Sequence, residues 1–132
     1  MNKSTVIKDF LSSNKAALII KGSQCIHANM EAARLFGVKS TDCLINRHPC
    51  ELSPQYQVNG LFSYSEAEKY LNECYETGRA TLEWLHLNLS SNDIIKVDVE
   101  RRAFIFRGQK DILVGLSNLG LHLSSYKATD SL

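Results

Sequence analysis

Residues 29–37 read NMEAARLFG, and this stretch carries the signals of a short helix with both of its ends marked. Asn29 can accept a hydrogen bond from an exposed amide in the first turn. Glu31 places a negative charge beside the positive end of the helix dipole. Gly37 can adopt the left-handed conformation in which many helices stop. The stretch therefore predicts a helix of about two turns.

Two short runs of apolar and β-favouring residues precede this helix, at 17–21 and 24–28. Gly22 and Ser23 separate the runs, and such a dipeptide suits the tight turn of a hairpin. The runs therefore predict the first antiparallel pair of strands. After the helix, residues 40–45 predict one more short helical turn. A loop-rich middle follows, because two X-Pro steps disfavour helical backbone.

A longer helix is predicted over residues 65–77, where apolar side chains recur at the spacing of one helical face. Ser63 and Ser65 can each form a capping box with the glutamate three residues later. Gly78 can end the helix. The apolar face consists of Ala67, Tyr70, Leu71, Cys74 and Tyr75.

Beyond this helix the period of the apolar residues changes to two, which is typical of strands. Leu82 and Trp84 share one face, residues 95–106 alternate as a long strand, and residues 112–116 predict the last strand. The element order predicts an α+β fold, with a five-stranded antiparallel sheet and short helices packed on one of its faces.

The segment before the first strand predicts a short amphipathic helix. Its apolar face needs a cover, from the domain or from a second copy of the chain, because an isolated helix of this length is marginal in water. We expect an N-terminal cap at 1–15, one folded domain at 16–118, and a tail or linker at 119–132. The candidate dimer interface consists of Val6, Ile7, Phe10 and Leu11.

Composition indicates one soluble domain in the cytoplasm. A chain of 132 residues with 44% apolar content can fill a single core. Fifteen Lys and Arg against 14 Asp and Glu give a net charge of +1, which favours neither nucleic acid nor a membrane surface as a partner. No stretch has the length of a secretion signal or a membrane span. The four cysteines lack paired spacing, so we expect free thiols and no metal site.

Several motifs resemble those of one sub-class of bacterial PAS domains. In that sub-class, a segment like N-x-x-A-x-x-L-F-G is followed by H-P-x-x-L-S-P-x-x-Q-x-x-G and later by E-W-x-H. The resemblance covers roughly residues 16 to 118, most of the chain. The matching residues are Asn29, Ala33, Arg34, Leu35, Phe36, Gly37, His48, Pro49, Leu52, Ser53, Pro54, Gln57, Asn59, Gly60, Ser63 or Ser65, Glu83, Trp84 and His86.

The resemblance implies a PAS-like sheet and a sensory or regulatory role in a bacterial signal-transduction protein. PAS domains bind a small molecule or cofactor, or simply dimerise, so we expect a homodimer, with output carried by an effector domain or partner protein. The chain departs from the sub-class at residues 90–93, where a turn glycine is usual. It also departs at residues 116–119, where a D-I-T motif usually leads into the output helix.

Trp84 and His86 lie two apart on a predicted strand, so both face the same side, where they can line a cavity between sheet and helices. The alternative is that Trp84 is a packing residue and His86 a hydrogen-bonded one. The ligand-pocket candidates are Trp84, His86, Tyr70, Cys74, Tyr56 and His48.

No particular cofactor is indicated by the motifs. Light-sensing PAS relatives attach flavin to a cysteine within a string like N-C-R-F-L-Q, whereas Cys50 here lacks the neighbouring Arg and Gln. Haem needs an axial imidazole, and the long predicted helix contains no histidine, which leaves His48 or His86.

Arg101, Arg102, Arg107 and Lys110 form a basic cluster, which we interpret as solvated charges on edge strands. Two alternatives to a ligand-responsive module stay open. One is a ligand-free dimerisation domain, and the other is a small α+β enzyme. The enzyme is disfavoured because no nucleophile, phosphate-loop or paired-carboxylate motif is present. We therefore expect no enzymatic activity.

Overall fold

A computed structural model describes residues 5, 8–9, 12–106 and 108–122 of the 132-residue chain. From residue 16 onward, these residues form five strands and two helices, joined in the middle by two single turns of 3-10 helix, Thr41–Leu44 and Pro49–Leu52. The strands are β1 Ala16–Lys21, β2 Gln24–Ala28, β3 Arg79–Leu87, β4 Ile94–Phe106 and β5 Gln109–His122. The helices are α1 Met30–Phe36 and α2 Ser63–Thr77.

The sheet is antiparallel throughout, with the strand order β2-β1-β5-β4-β3. The first and last strands are neighbours, with Ala17 opposite Gly115. The centre of the sheet therefore forms only when segments from the two ends of the domain pair with each other. Strands β2 and β3 form the edges. The predicted five-stranded antiparallel sheet with helices on one face is confirmed.

Helix α1 has the caps that its sequence predicts. The Asn29 side-chain oxygen accepts from the backbone N–H of Ala32 at 2.9 Å, and Gly37 ends the helix in the left-handed region at φ 70°. A Cβ atom at position 37 would also overlap the side-chain amide of Asn88. Gly37 is therefore required both by its backbone conformation and by this close approach.

Helix α2 begins two residues earlier than predicted, and the predicted capping box is wrong. Phe62 is the N-cap residue and makes no side-chain capping bond, and Ser63 is already helical. The Ser63 hydroxyl donates instead to the carbonyl of Pro54, because a neighbouring loop packs against the helix start. The helix ends at Gly78, as predicted, with φ 87°.

The main core lies between the inner face of the sheet and the helices. It includes Phe36 of α1, Leu71 of α2, and Val97 and Val99 of β4, all at most 2% exposed. A smaller apolar cluster around Ile19 covers part of the outer face of the sheet. Any ligand site enclosed by the domain therefore has to form on the inner face.

The predicted amphipathic helix cannot be compared, because Val6, Ile7, Phe10 and Leu11 lie outside the described residues. That helix and the dimer interface stay predictions. At the other end, β5 runs to His122, beyond the predicted strand at 112–116. None of the helices within the described part of the chain is long and apolar enough to cross a bilayer.

Candidate functional site

A chain of aromatic rings lies between α2 and β3. Tyr70 of α2 meets Trp84 of β3 edge-on, with ring centroids 6.5 Å apart. Trp84 lies 6.3 Å from His86, and His86 in turn packs edge-on against Phe36 at 4.9 Å. Trp84 and His86 are buried and Tyr70 is half-buried. Three of the predicted pocket residues are thus brought together in the interior.

Ser53 joins the middle loop to two of these rings. Its hydroxyl donates to the carbonyl of Pro49 at 2.7 Å and accepts from the indole N–H of Trp84 at 2.9 Å. His86 Nδ1 lies 2.8 Å from the carbonyl oxygen of Leu52. A carbonyl can only accept, so Nδ1 carries the proton of the imidazole. Ser53 and Leu52 therefore hold both rings in one orientation.

His86 is a neutral imidazole at physiological pH. Burial is the main cause that lowers the pKa of His86 to about 4. The positive charge of Arg101 acts in the same direction, and the hydrogen bond to Leu52 opposes both. The protonated form is disfavoured because an apolar surrounding cannot solvate it.

Gln57 attaches the same loop to the backbone of the edge strand β3. Its side-chain oxygen accepts from the N–H of Leu85 at 2.8 Å, and its NH₂ group donates to the carbonyl of Leu85 at 3.1 Å. The NH₂ group also donates to the Ser63 hydroxyl at 2.8 Å. The buried amide thus occupies the place of a further strand. The residues of the L-S-P-x-x-Q motif bind the loop to β3 and α2, which is a structural role.

A cleft of about 190 Å³ opens beside the aromatic rings, between the start of α2 and β3. Tyr70 and Trp84 line it together with Gln57 and two acidic residues, Glu66 and Glu83. The Glu66 carboxylate accepts from the Asn59 side chain at 3.0 Å. Tyr70 and Trp84 therefore belong both to the ring cluster between α2 and β3 and to the lining of this cleft.

Two other predicted pocket residues, His48 and Tyr56, lie away from this interior. His48 Nδ1 accepts from the N–H of Cys50 at 3.0 Å, and Nε2 lies 2.8 Å from the Glu68 carboxylate. Both ring nitrogens are therefore engaged, and His48 has none free for an iron ion in this conformation. Tyr56 is 46% exposed and stacks on Phe62 at the surface.

The thiols of Cys50 and Cys74 are both poor nucleophiles, because burial disfavours the thiolate. Burial raises the pKa of the Cys50 thiol, and the negative charge of Glu51 raises it further. Cys74 is fully buried on α2, and burial raises the pKa of its thiol as well. Within the described parts of the chain, no three His, Cys, Asp or Glu side chains are grouped so that they could hold a metal ion.

Arg101 is the residue that the sequence interpretation missed. It lies on β4, an inner strand, between Ala80 of β3 and Val114 of β5, and it is 2% exposed. The interpretation of Arg101 as a solvated edge charge is therefore wrong. Arg101 has the same parity in β4 as Val97 and Val99, and this period-two pattern was the signal that places it on the inner face.

The other members of the basic cluster differ from Arg101. Arg102 points to the opposite face, is exposed and lies 3.7 Å from Glu100. Lys110 is exposed and donates to the carbonyl of Tyr75. Neither of them lies on an edge strand, because β4 and β5 are inner strands of the sheet. Arg107 lies outside the described residues.

The guanidinium of Arg101 lies over the Trp84 ring, with its central carbon 6.0 Å from the ring centroid. Its Nε and Nη1 atoms are buried and have no hydrogen-bond partner within the described structure. Burial lowers the pKa of Arg101 to about 10, while Cys74 and Tyr70 act in the opposite direction. The side chain is still charged at neutral pH, and none of the described acidic side chains forms an ion pair with it.

Comparison with solved structures finds similar folds in PAS domains. The PAS domain of an HTR-like protein from Haloarcula marismortui has a TM-score of 0.69 at 14% identity, covering 88% of this chain and 90% of that one. A LOV protein from Rhodobacter sphaeroides has a TM-score of 0.71 at 12% identity, covering 96% of this chain and 72% of that one.

A third similar structure is the PAS domain, in complex with ethanol, of a LuxR-family transcriptional regulator from Burkholderia thailandensis. Its TM-score is 0.65 at 14% identity, and 92% of this chain and all of that one (100%) are covered. No protein-family model matches the sequence, and no curated protein matches it. The fold of this chain is that of PAS domains, as the sequence motifs predict.

Proposed function

We propose that this chain is a sensory or regulatory module that binds a small molecule on the inner face of its sheet and passes the bound state to an effector domain or partner protein. The observation that carries the proposal is the cleft between Tyr70 and Trp84. Its lining includes two of the aromatic rings that pack between α2 and β3, together with the buried amide of Gln57. The similar structures support the role, since one is a transcriptional regulator's PAS domain bound to ethanol.

A binding role fits the chemistry of these side chains better than catalysis. The imidazole of His86 is neutral and its Nδ1 proton is committed to Leu52, so it is a weak acid and a poorly placed base. The raised pKa of the Cys50 thiol disfavours a nucleophilic thiolate. We therefore propose that this domain has no enzymatic activity. We also propose that it acts in the cytoplasm through its partners.

The test uses the single tryptophan of the chain, Trp84, which lines the cleft. Purified protein is analysed by native and denaturing mass spectrometry for a co-purified compound. It is then screened against small metabolites by melting temperature and by Trp84 fluorescence. We expect at least one compound to raise the melting temperature and change the fluorescence. A protein with no extra mass and no response to any compound would contradict ligand binding.

Dimerisation without a ligand is the second candidate function. A groove of about 490 Å³ favours it, because Phe104 and Leu113 of the outer face line this groove, and Ile105 near the end of β4 also lines it and is 63% exposed. A second copy could cover this groove together with the predicted N-terminal helix. Analytical ultracentrifugation of the full chain and of Ile105→Asp tests it. We expect a dimer that the substitution weakens, and a monomeric full chain would refute this candidate.

A further inference from the structure

The cleft between α2 and β3 is lined by a buried carboxylate that has no ion-pair partner. Glu66 is 6% exposed, and its carboxylate accepts from the neutral amide of Asn59. None of the described Lys, Arg or His side chains forms an ion pair with Glu66. The N-terminal end of α2 offsets only part of the charge, since such an end carries about half an elementary charge. A buried carboxylate is normally paired, so the charge of Glu66 favours a cation in the cleft.

Glu83, the other acidic residue at the cleft, does not add to this charge. Side chains alternate along a strand, so the Glu83 carboxylate points to the face opposite to Leu82 and Trp84. There it forms an ion pair with Lys96 at 3.0 Å. The charge of the cleft therefore comes from Glu66 alone.

Two basic side chains lie near the rings of the cleft, but neither of them lines it. The guanidinium of Arg101 lies over Trp84, and Lys69 Nζ lies 5.3 Å from the centroid of the Tyr70 ring. The acidic groups that act on the charge of Arg101 are Cys74 and Tyr70, and Glu66 is not among them. None of the described residues that line the cleft is Lys, Arg or His. Its lining therefore has a negative charge that the chain does not compensate.

The hydrogen-bonding groups of the cleft favour a ligand that brings its own donors. The NH₂ group of Gln57 already donates to Ser63 and to the carbonyl of Leu85, and its oxygen accepts from the N–H of Leu85. The NH₂ group of Asn59 donates to Glu66. The carboxylate of Glu66, with two oxygens, has further capacity to accept.

We propose that this cleft binds a small organic ammonium ion, namely a primary amine with a short alkyl chain or a single ring. This inference rests on the proposed function and names the class of ligand. The ammonium group donates to the carboxylate of Glu66, and the apolar body packs against Tyr70, Leu82 and Trp84. The volume of about 190 Å³ is below the roughly 300–1,000 Å³ of sites for drug-sized ligands. It limits the body to a few carbon atoms or one ring.

The test compares amines with alcohols, which have nearly the same shape and no charge. Butylamine and benzylamine are titrated into the full-length protein against 1-butanol and benzyl alcohol, with Trp84 fluorescence and melting temperature as the two readouts. The buffer is phosphate at pH 7, where both amines are protonated, and it contains no Tris, which is itself a primary amine. We expect at least one amine to bind about fivefold or more tightly than its alcohol, since a charge-assisted hydrogen bond is roughly twice as strong as a neutral one.

Variants then assign the preference to Glu66. Glu66→Gln removes the charge at the same size and keeps an acceptor for Asn59. Glu76→Gln is the matched control, because Glu76 is an exposed glutamate on the same helix. Glu66→Gln should lose the preference for the amine, whereas Glu76→Gln should keep it. If Glu66→Gln does not fold, Glu66→Asp keeps the charge on a shorter side chain and should bind the amine more weakly than the wild type.

The outcomes separate this inference from the proposed function. Equal binding of amine and alcohol, an unchanged preference in Glu66→Gln, or an unchanged amine affinity in Glu66→Asp would overturn the ammonium assignment while leaving small-molecule binding intact. The same holds if amines and alcohols fail to bind but another class of compound responds in the wider metabolite screen. Failure of every amine and alcohol, together with no co-purified mass and no hit in that screen, would overturn both.

Discussion

Replacing Gln57 with alanine should lower the free energy of unfolding by about 2–4 kcal/mol. Gln57 is 8% exposed, and its amide satisfies both the N–H and the carbonyl of Leu85 on the edge strand β3. Alanine leaves both backbone groups without these partners, and each unsatisfied buried group costs about 1–3 kcal/mol. Two such groups together cost about 2–6 kcal/mol. We expect the lower part of this range, because water can reach the backbone of an edge strand. It is still a large share of the 5–15 kcal/mol or so that stabilises a typical domain.

Urea unfolding followed by Trp84 fluorescence measures the effect, since Trp84 is the only tryptophan. Gln55→Ala is the matched control, because Gln55 is an exposed glutamine in the same loop. The control should change the free energy of unfolding by no more than about 0.5 kcal/mol. If Gln57→Ala and Gln55→Ala unfold at the same urea concentration, the loop is not held to β3 through this amide.

Three further predictions address other parts of the domain. Because the folded-state pKa of His86 is about 4 and its ordinary value is 6.5, the unfolded chain binds the extra proton between these values, so stability falls as the pH drops through this window. Between pH 7 and pH 5 the loss should be about 2 kcal/mol, and His86→Asn should remove this part of the slope in urea titrations. Arg101→Met should leave the ligand-free domain equally stable or stabilise it by about 1–4 kcal/mol, and a melting temperature well below that of the wild type would contradict an uncompensated charge. Gly37→Ala should be more destabilising than Gly22→Ala, because both glycines have positive φ but only position 37 lacks space for a Cβ atom; equal melting temperatures would show that the close approach does not matter.

The motifs were recognisable in the sequence, but their role was not. The H-P and L-S-P-x-x-Q strings pointed to a PAS domain, and the interpretation of Trp84 and His86 left ligand contact and packing open. The structure shows that Ser53 bonds to Trp84, 31 residues away, and Gln57 to Leu85, 28 residues away. These bonds cross from a loop to a strand, so no local pattern specifies them.

Arg101 and Ser63 illustrate the two ways in which local interpretation failed. The alternation along the strand places Arg101 on the inner face. Its positive charge instead favoured the interpretation that the side chain is exposed to solvent. For Ser63, the capping preference was a sound local signal, and the packing of the Pro54 loop overrode it. In each case the contact that local interpretation missed is made with another element: Arg101 of β4 contacts Trp84 of β3, and Ser63 of α2 contacts Pro54 of the middle loop.

The sequence by itself determined the elements whose signals lie within a few residues. The caps of α1 at Asn29 and Gly37, the turn at Gly22, the end of α2 at Gly78 and the alternation of the later strands are all local, because helix ends, tight turns and strand periodicity depend on neighbouring backbone. Only the tertiary structure decided which polar groups are satisfied in the interior. The packing of the middle loop against β3 set the partner of the His86 imidazole. The pairing of β4 with β3 and β5 placed Arg101 on the inner face beside Trp84, where its Nε and Nη1 have no hydrogen-bond partner among the described residues.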